Sequence, residues 1–194
     1  MLQKIVVGIT GASGVIYGIR LLEVLREHRI ETHLVMSPSA KITIAAETKF
    51  SVPSVEKLAS KIYKFSDVAA SISSGSFQVD GMVVIPCSMH TLGALASGVA
   101  DNLLTRAGEV TLKERRPLIL VPRETPLTLI HIENMARLAQ AGAVILPAMP
   151  AFYSKPKTIQ DIVDHTVGKV LDLLKIENAL FKRWKGMEAG SLPS

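Results

Sequence analysis

The feature that most constrains the fold is an apolar run that passes directly into small residues and then into a helical pattern. Ile5 to Ile9 is typical of a buried parallel strand, and Gly11, Ala12, Ser13 and Gly14 follow almost at once. The next apolar residues recur at helical spacing: Val15, Ile16, Ile19, Leu22 and Leu25. A helix N-terminus offers unpaired N–H groups and a positive dipole end, and small residues let a phosphate approach the backbone. The segment therefore predicts a site for a nucleotide or a phosphorylated cofactor.

The glycine spacing argues against a dinucleotide site. Glycines stand at positions 8, 11, 14 and 18, which matches neither G-x-G-x-x-G nor the Lys-Ser/Thr ending of a P-loop. The second strand ends in Met36-Ser37-Pro38, where a dinucleotide site needs an acidic residue. Ser37 suits a phosphate or a ring edge better than a ribose. Small residues needed only for helix–strand packing remain the alternative.

Apolar runs alternate with helical patterns along the whole chain. The predicted strands are 4–9, 32–36, 81–86, 117–122 and 143–146, and the predicted helices are 15–27, 39–46, 90–98, 127–141 and 159–175. This order predicts an α/β fold, a doubly wound parallel sheet of Rossmann-like or flavodoxin-like type with helices on both faces. We expect one domain over residues 1–186 and a flexible tail over 187–194.

Composition indicates where the protein works and which class of ligand it binds. Apolar residues make up 48% of the chain, yet no run reaches the roughly 18 to 20 needed to cross a membrane, so we expect the surplus to be buried between subunits. The single cysteine, and an N-terminus that leads straight into a strand, favour a cytoplasmic protein without a signal peptide. The net charge of +5 suits phosphorylated small molecules. Aromatic residues are too few, and too separate from the basic ones, for a nucleic-acid platform.

Residues that follow the strands are the candidates for a site, because parallel sheets bind ligands at the carboxyl ends of their strands. All five predicted ends carry small, hydroxyl or charged residues: Gly11 to Ser13, Ser37, Pro86 to Thr91, Pro122 to Pro126, and Pro147 to Tyr153. Arg123 and Glu124 stand side by side, where they can bind an anion and manage a proton. A salt bridge between these two side chains is the alternative.

For other candidate residues, sequence spacing alone gives weaker evidence of a functional role. Arg106 and Lys113 share a face if 101–114 is helical, but a solvated basic face has the same pattern. Glu47 and Lys169 fit an ordinary surface position better than a catalytic one, and Tyr153 fits a ligand contact and gap filling equally well. Cys87 fits a buried strand end better than a nucleophile. The five histidines show no metal-ligand spacing, so we expect no metal.

Several segments together resemble the UbiX-type flavin prenyltransferases. The resemblance covers about residues 4–186 and rests on residues 8–14 (GITGASG), 31–37 (ETHLVMS), 71–77 (SISSGSF), 85–89 (IPCSM), 112–118 (LKERRPL), 123–127 (RETPL) and 150–153 (PAFY). It implies a flavodoxin-like fold that binds FMN and assembles as a dodecamer. It also implies transfer of a dimethylallyl group from dimethylallyl monophosphate to N5 and C6 of reduced FMN, whose product serves a UbiD-type decarboxylase.

The resemblance carries site residues over by position. The FMN-contacting positions are matched by Gly11, Ala12, Ser13, Ser37, Ser88, Met89, His90, Thr91 and Arg123. The prenyl-phosphate and catalytic pocket is matched by Arg106, Lys113, Arg123, Glu124, Tyr153 and Lys169. Glu47 and Ser13 match a pair implicated in proton handling near the flavin N5. Trp184 matches a C-terminal aromatic that closes over the site from an adjacent subunit, and His90 departs from the lysine that many relatives have.

Two other functions fit the same fold. An FMN-dependent cysteine decarboxylase would carry a histidine near the first helix and an Asn-containing Pro-x-Met-Asn motif, whereas this chain has Pro147-Ala148-Met149-Pro150. A non-catalytic subunit that stores or delivers FMN would have no need of Arg106, Lys113, Glu124 and Lys169 together.

Overall fold

A computed structural model describes residues 3–184 and residue 186. Six parallel strands form one sheet: β1 (Lys4–Ile9), β2 (Glu31–Met36), β3 (Lys61–Tyr63), β4 (Gly81–Cys87), β5 (Leu118–Pro122) and β6 (Val144–Ile145). Seven helices accompany them: α1 (Val15–Glu27), α2 (Pro38–Glu47), α3 (Val52–Glu56), α4 (Met89–Ala96), α5 (Leu103–Lys113), α6 (Leu129–Gln140) and α7 (Ile159–Leu173). The predicted tail over 187–194 lies outside the described residues.

The strands lie in the order β3-β2-β1-β4-β5-β6. This is the doubly wound order of the Rossmann fold, and without the short edge strand β3 it becomes the flavodoxin-like order. β1 pairs with β2 from Lys4 opposite Glu31 to Ile9 opposite Met36. The predicted doubly wound parallel sheet is confirmed.

Apolar side chains on the two faces of the sheet form two separate cores. One core joins β1 and β4 to α1 and α7, with Ile19 and Val167 among its fully buried members. The other joins the opposite face to α4, α5 and α6, through residues such as Leu92, Leu104 and Leu138. Continuous apolar runs at the central strands follow from this burial on both sides. No helix in the described part of the chain is long and apolar enough to cross a membrane.

The sequence pattern missed one strand. β3 has only three residues, and Ile62 at its centre is 47% exposed. An edge strand of this kind has no apolar run to mark it, because only one of its sides pairs with the sheet. Arg106 and Lys113 both stand on α5 (Leu103–Lys113), so the condition that residues 101–114 contain a helix is met.

The close approach of α1 to β4 depends on a glycine. A Cβ atom at Gly18 would lie 2.4 Å from the Ile85 carbonyl oxygen, which is backbone and cannot turn aside. We expect Gly18→Ala to lower the free energy of unfolding by about 1–3 kcal/mol, as overpacking does. Gly93→Ala in α4 is the matched control, because its Cβ would meet nothing nearer than Asn134 at 3.5 Å. Urea unfolding of both variants without cofactor is the measurement, and equal stabilities would contradict the packing argument.

Candidate functional site

The carboxyl ends of the two central strands are tied together at Thr10, whose backbone N–H donates to the Pro86 carbonyl oxygen at 3.3 Å. Thr10 Oγ1 donates to the Pro86 carbonyl oxygen at 2.7 Å and accepts from the Ser88 N–H at 2.8 Å. Thr10 is 1% exposed. β1 and β4 form the point where the strand order reverses, and doubly wound sheets bind their ligands there. The hydroxyl of Thr10 therefore fixes the crevice in which a ligand would lie.

Three helices begin at this edge of the sheet. α1 follows β1, α2 follows β2 and α4 follows β4. Ser37 caps α2 by accepting from the Ala40 N–H at 3.1 Å, and Ser88 caps α4 by accepting from the Thr91 N–H at 3.3 Å. Each helix start carries partial positive charge and free N–H groups. Their convergence favours an anionic ligand, as the sequence predicted.

The loop between β1 and α1 lies close against α2. A Cβ atom at Gly11 would lie 2.2 Å from the Cβ of Ser39, so no side chain fits there. Gly14 caps α1 with a φ of 96°, in the left-handed region that favours glycine. The Gly14 N–H donates to Glu47 Oε2 at 2.8 Å. This bond brings the Glu47 carboxylate, from the last residue of α2, beside the loop that carries Ser13.

The remaining residues of this edge differ in their exposure. Ala12 and Thr91 are buried, Ser88 and Met89 are half-buried, and Ser13 and His90 are exposed. Ser13 thus presents its hydroxyl to solvent at the loop next to Glu47. The exposed imidazole of His90 lies in the first turn of α4.

Arg123 supplies the clearest polar group without a protein partner. Its Nε is buried, and among the described residues no hydrogen-bond acceptor meets it. Its backbone N–H donates to the Cys87 carbonyl oxygen at 3.3 Å, which places Arg123 at the end of β5 beside β4. Glu124 accepts a bond from the Thr125 N–H at 3.0 Å and forms no ion pair with Arg123 in the described chain. The predicted alternative of a self-paired salt bridge is therefore wrong.

Arg106 and Lys113 lie on a separate surface. Both contact the segment Ser71–Phe77: Arg106 Nε donates to the Ser73 carbonyl oxygen at 3.2 Å, and Lys113 lies beside Gly75. Lys113 is also ion-paired with Glu114, whose pKa this partner lowers below its ordinary value. The same segment includes Phe77, over whose ring lies the Nζ of Lys4, the first residue of β1. Lys113 is therefore at the amino ends of the strands, about 20 Å from their carboxyl ends.

Aromatic rings form a third group on the exposed side of α7. The Tyr153 hydroxyl lies 3.0 Å from His165 Nε2, and the Tyr153 ring meets the Trp184 ring edge-on with centroids 6.0 Å apart. Burial, and then the charge of Lys169 one turn away, lowers the pKa of His165. Arg183 forms a two-pronged ion pair with Asp172 and so holds the segment before Trp184 on α7. No hydrogen bond between residues 3–184 links these rings to the carboxyl edge of the sheet.

One chain thus brings together some of the expected site residues and separates others. The carboxyl edge gathers Gly11, Ala12, Ser13, Ser37, Glu47, Ser88, Met89, His90, Thr91, Arg123 and Glu124. The α5 surface carries Arg106 and Lys113, and the α7 surface carries Tyr153, Lys169 and Trp184. Sequence reasoning assigned no role to Thr10 or His165. A hydroxyl directly after a strand was the only signal for Thr10, and a helical spacing that placed His165 four residues before Lys169 was the only one for His165.

Cys87 is a structural residue in this arrangement. Its side chain is fully buried, and burial raises the pKa of its thiol to about 12. A thiol with that pKa is protonated near neutral pH and is a poor nucleophile. Within the described residues, His, Cys, Asp and Glu side chains form no group of three or more that could hold a metal ion.

Comparisons with known proteins identify flavoprotein relatives. The family model described as Flavoprotein matches residues 2–176. The flavin prenyltransferase UbiX of Escherichia coli (strain K12) is 52% identical over 188 residues, which cover 95% of this chain and 100% of that protein. Among solved structures, AnUbiX (PadA1) in complex with FMN and dimethylallyl pyrophosphate superposes with a TM-score of 0.95 at 49% identity, covering 97% of this chain and 100% of that one.

Two further solved structures show the difference between a family relative and a protein that shares only the fold. A dodecameric FMN-dependent Ubix-like decarboxylase from Escherichia coli O157:H7 has a TM-score of 0.93 and 52% identity, over 95% of this chain and 100% of its own. The peptidyl-cysteine decarboxylase EpiD shares 22% identity at a TM-score of 0.63, covering 90% of this chain and 99% of its own. The second similarity shows a common fold alone.

The unpartnered Nε of Arg123 predicts a contact with bound flavin. We expect Arg123→Met to weaken FMN binding by about tenfold or more, because a charge-assisted hydrogen bond contributes about 1.5–3 kcal/mol. Arg137→Met is the matched control, since this arginine lies on α6 and reaches the Ala96 carbonyl oxygen at 3.4 Å. Titration of FMN, followed by quenching of its fluorescence, measures both. Equal affinity in the two variants would rule out the contact.

Proposed function

The chain belongs to the UbiX-type flavin prenyltransferases of the Flavoprotein family, and we propose that it transfers a dimethylallyl group from dimethylallyl monophosphate to N5 and C6 of reduced FMN. The buried, partnerless Nε of Arg123, at an edge where three helices begin, is the observation that carries the proposal. This unpartnered donor supports the proposal that the pocket holds a phosphorylated and partly buried ligand. A similar protein has been solved with FMN and dimethylallyl pyrophosphate together.

The residues of the carboxyl edge fit FMN. We assign the FMN-binding role to the Gly11–Ser13 loop, Ser37, the Ser88–Thr91 helix start and Arg123. The helix N–H groups and the capping serines suit a phosphate, because each donates in a fixed direction. When bound, reduced FMN supplies the two nucleophilic ring positions.

Cationic side chains are assigned to the leaving group. The allylic C–O bond breaks and its electron pair leaves with the phosphate, so negative charge grows on the phosphate oxygens. Arg106, Lys113, Arg123 and Lys169 would stabilise that charge, and Arg side chains do so with two parallel donors. Glu124 lies next to Arg123, where we propose that its carboxylate helps to hold and activate the phosphate.

Glu47 and Ser13 are assigned to proton handling. The bond from the Gly14 N–H to Glu47 Oε2 fixes the carboxylate beside the loop that carries Ser13. The second Glu47 oxygen can exchange a proton with the exposed Ser13 hydroxyl or with a ligand. We propose that this pair moves the proton at the flavin N5 and that its removal affects chemistry more than binding.

The aromatic group on α7 is assigned to the prenyl chain. A developing allyl cation is stabilised by electron-rich ring faces in a pocket that excludes water. Tyr153 and Trp184 lie edge-on to each other, so each ring keeps a face available. Both side chains are exposed in one chain, as a surface completed by another copy would be.

We propose that a homo-oligomer completes the site, with twelve copies as the family resemblance implies. Lys113 lies at the amino edge of the sheet and Arg123 at the carboxyl edge, so a single copy does not bring these cations together. Exposed apolar residues, among them Leu129 at 69% and Phe152 at 72%, supply surface for such contacts. A relative of the same fold and 52% identity is dodecameric.

The product would serve a second enzyme. We propose a UbiD-type decarboxylase as the recipient of the prenylated FMN, and a cytoplasmic location for the transfer. The first rests on the family resemblance, and the second on the single buried cysteine. The cysteine decarboxylases share only the fold with this chain, which leaves the non-catalytic FMN carrier as the alternative to test.

Incubation with reduced FMN and dimethylallyl monophosphate, without oxygen, tests the activity directly. We expect the extracted flavin to gain the mass of one prenyl unit, and we expect none without the prenyl donor. A parallel reaction with dimethylallyl diphosphate measures the preference between the two donors. An unchanged flavin that stays bound to the protein would identify a carrier instead.

The role of Glu47 predicts a separation of chemistry from binding. We expect Glu47→Gln to slow prenylation by about a hundredfold or more, as loss of a general acid–base group does, with FMN affinity nearly unchanged. Glu56→Gln is the matched control, because the Glu56 carboxylate is paired with Lys41 and not with the Gly14 N–H. Single-turnover rates and FMN titration measure the two effects. Full activity in Glu47→Gln would disprove the role.

A further inference from the structure

A chain of partly buried hydrogen bonds lies beneath the segment Ser71–Phe77. Glu31 Oε1 lies 3.0 Å from His33 Nε2, and His33 Nδ1 lies 2.8 Å from the Tyr63 hydroxyl. That hydroxyl in turn lies 3.0 Å from Ser71 Oγ. The side chain of His33 is 1% exposed. The chain joins β2, β3 and the first residue of the segment.

The direction of each bond follows from the chemistry of its partners. The Glu31 carboxylate can only accept, so His33 Nε2 carries the proton. Burial lowers the pKa of His33, which keeps the imidazole neutral near pH 7 and leaves Nδ1 as an acceptor. Tyr63 therefore donates to Nδ1, and its oxygen accepts from the Ser71 hydroxyl. Every member of the chain is satisfied in one arrangement only, and such networks fix positions strongly.

His33 also holds the other end of the segment. Its ring meets the Phe77 ring edge-on with centroids 5.2 Å apart, and it stacks on Tyr63 at 5.8 Å. Ile72 is buried in the core between these two anchors. The segment is thus attached at both ends to one buried histidine.

The opposite side of the segment faces α5 and its cations. The Ser73 carbonyl oxygen accepts from Arg106 Nε at 3.2 Å, and the second arm of the guanidinium is paired with Glu109 at 2.7 Å. The Gly75 and Phe77 carbonyl oxygens accept from Arg116 at 2.7 and 2.8 Å. Lys113 and Glu114 lie directly against Gly75, where a Cβ atom would collide with them. A shift of the segment would therefore move the acceptor that orients Arg106.

We propose that the His33–Tyr63–Ser71 hydrogen-bond chain is a positioning device that sets the segment Ser71–Phe77 and, through the Ser73 carbonyl, the guanidinium of Arg106 for the allylic phosphate. The part that concerns the phosphate rests on the proposed function. Tyr63 and Ser71 are positioning residues, because they act on the ligand only through Arg106. Their loss should raise the KM for the prenyl donor and leave kcat and FMN affinity almost unchanged.

Two variants and two controls test this device. Tyr63→Phe removes the donor to His33, and Ser71→Ala removes the donor to Tyr63. We expect each to raise the KM for dimethylallyl monophosphate about fivefold, the usual effect of losing one hydrogen bond. Ser71→Thr keeps the hydroxyl and should keep the KM. Thr111→Val removes a buried hydroxyl from α5 that bonds to Ala107, outside the chain, and should also keep it.

Hydrogen exchange at the amides of residues 72–77 gives a reading that does not depend on activity. We expect faster exchange there in Tyr63→Phe and Ser71→Ala, with no change in Thr111→Val. Unchanged exchange in both variants would overturn the positioning device, and so would faster exchange with an unchanged KM while Arg106→Ala does raise it. If Arg106→Ala leaves the KM unchanged, the proposed role of Arg106 fails. The exchange rates then decide by themselves whether the chain sets the segment.

Discussion

The bonds of the Thr10 hydroxyl hold the edge on which the rest of the site depends. It donates to the Pro86 carbonyl oxygen and accepts from the Ser88 N–H, and both partners belong to the chain at the end of β4. The backbone contributes one longer bond at this point, from the Thr10 N–H to the same Pro86 carbonyl oxygen at 3.3 Å. The buried hydroxyl adds a donor and an acceptor there, and its partner Ser88 is the cap of α4.

Positive helix ends, rather than side-chain charges alone, give this edge its preference for anions. Ser37 and Ser88 orient two of these ends by capping, and the glycine loop brings the third close to α2. Arg123 then adds a buried Nε that no neighbour among the described residues satisfies. A buried donor without a partner is costly, so the arrangement is best understood as complementary to a ligand.

The candidate cations and aromatic rings lie on separate surfaces of one chain. Arg106 and Lys113 are held against Ser71–Phe77 on one surface, and Tyr153 and Trp184 lie together on another. Each surface is ordered by its own buried or partly buried histidine, His33 in the first and His165 in the second. Each histidine therefore holds the side chains of one surface in place, and the proposed oligomer would bring the two surfaces to the same ligand.

The sequence by itself determined the parallel sheet, the glycine loop and the residues that follow each strand. These are local features, because a strand, a turn and a helix start are encoded by neighbouring residues. It did not reveal β3, whose exposed edge carries no apolar run. It also did not reveal the roles of Thr10, His33 and His165, each of which bonds to a partner 12 to 78 residues away. Only the tertiary structure placed Lys113 at the opposite end of the sheet from Arg123. The reason is physical. Because α5 runs back along the sheet, Lys113 lies at the amino ends of the strands, whereas Arg123 lies at their carboxyl ends, although one pocket was predicted for both.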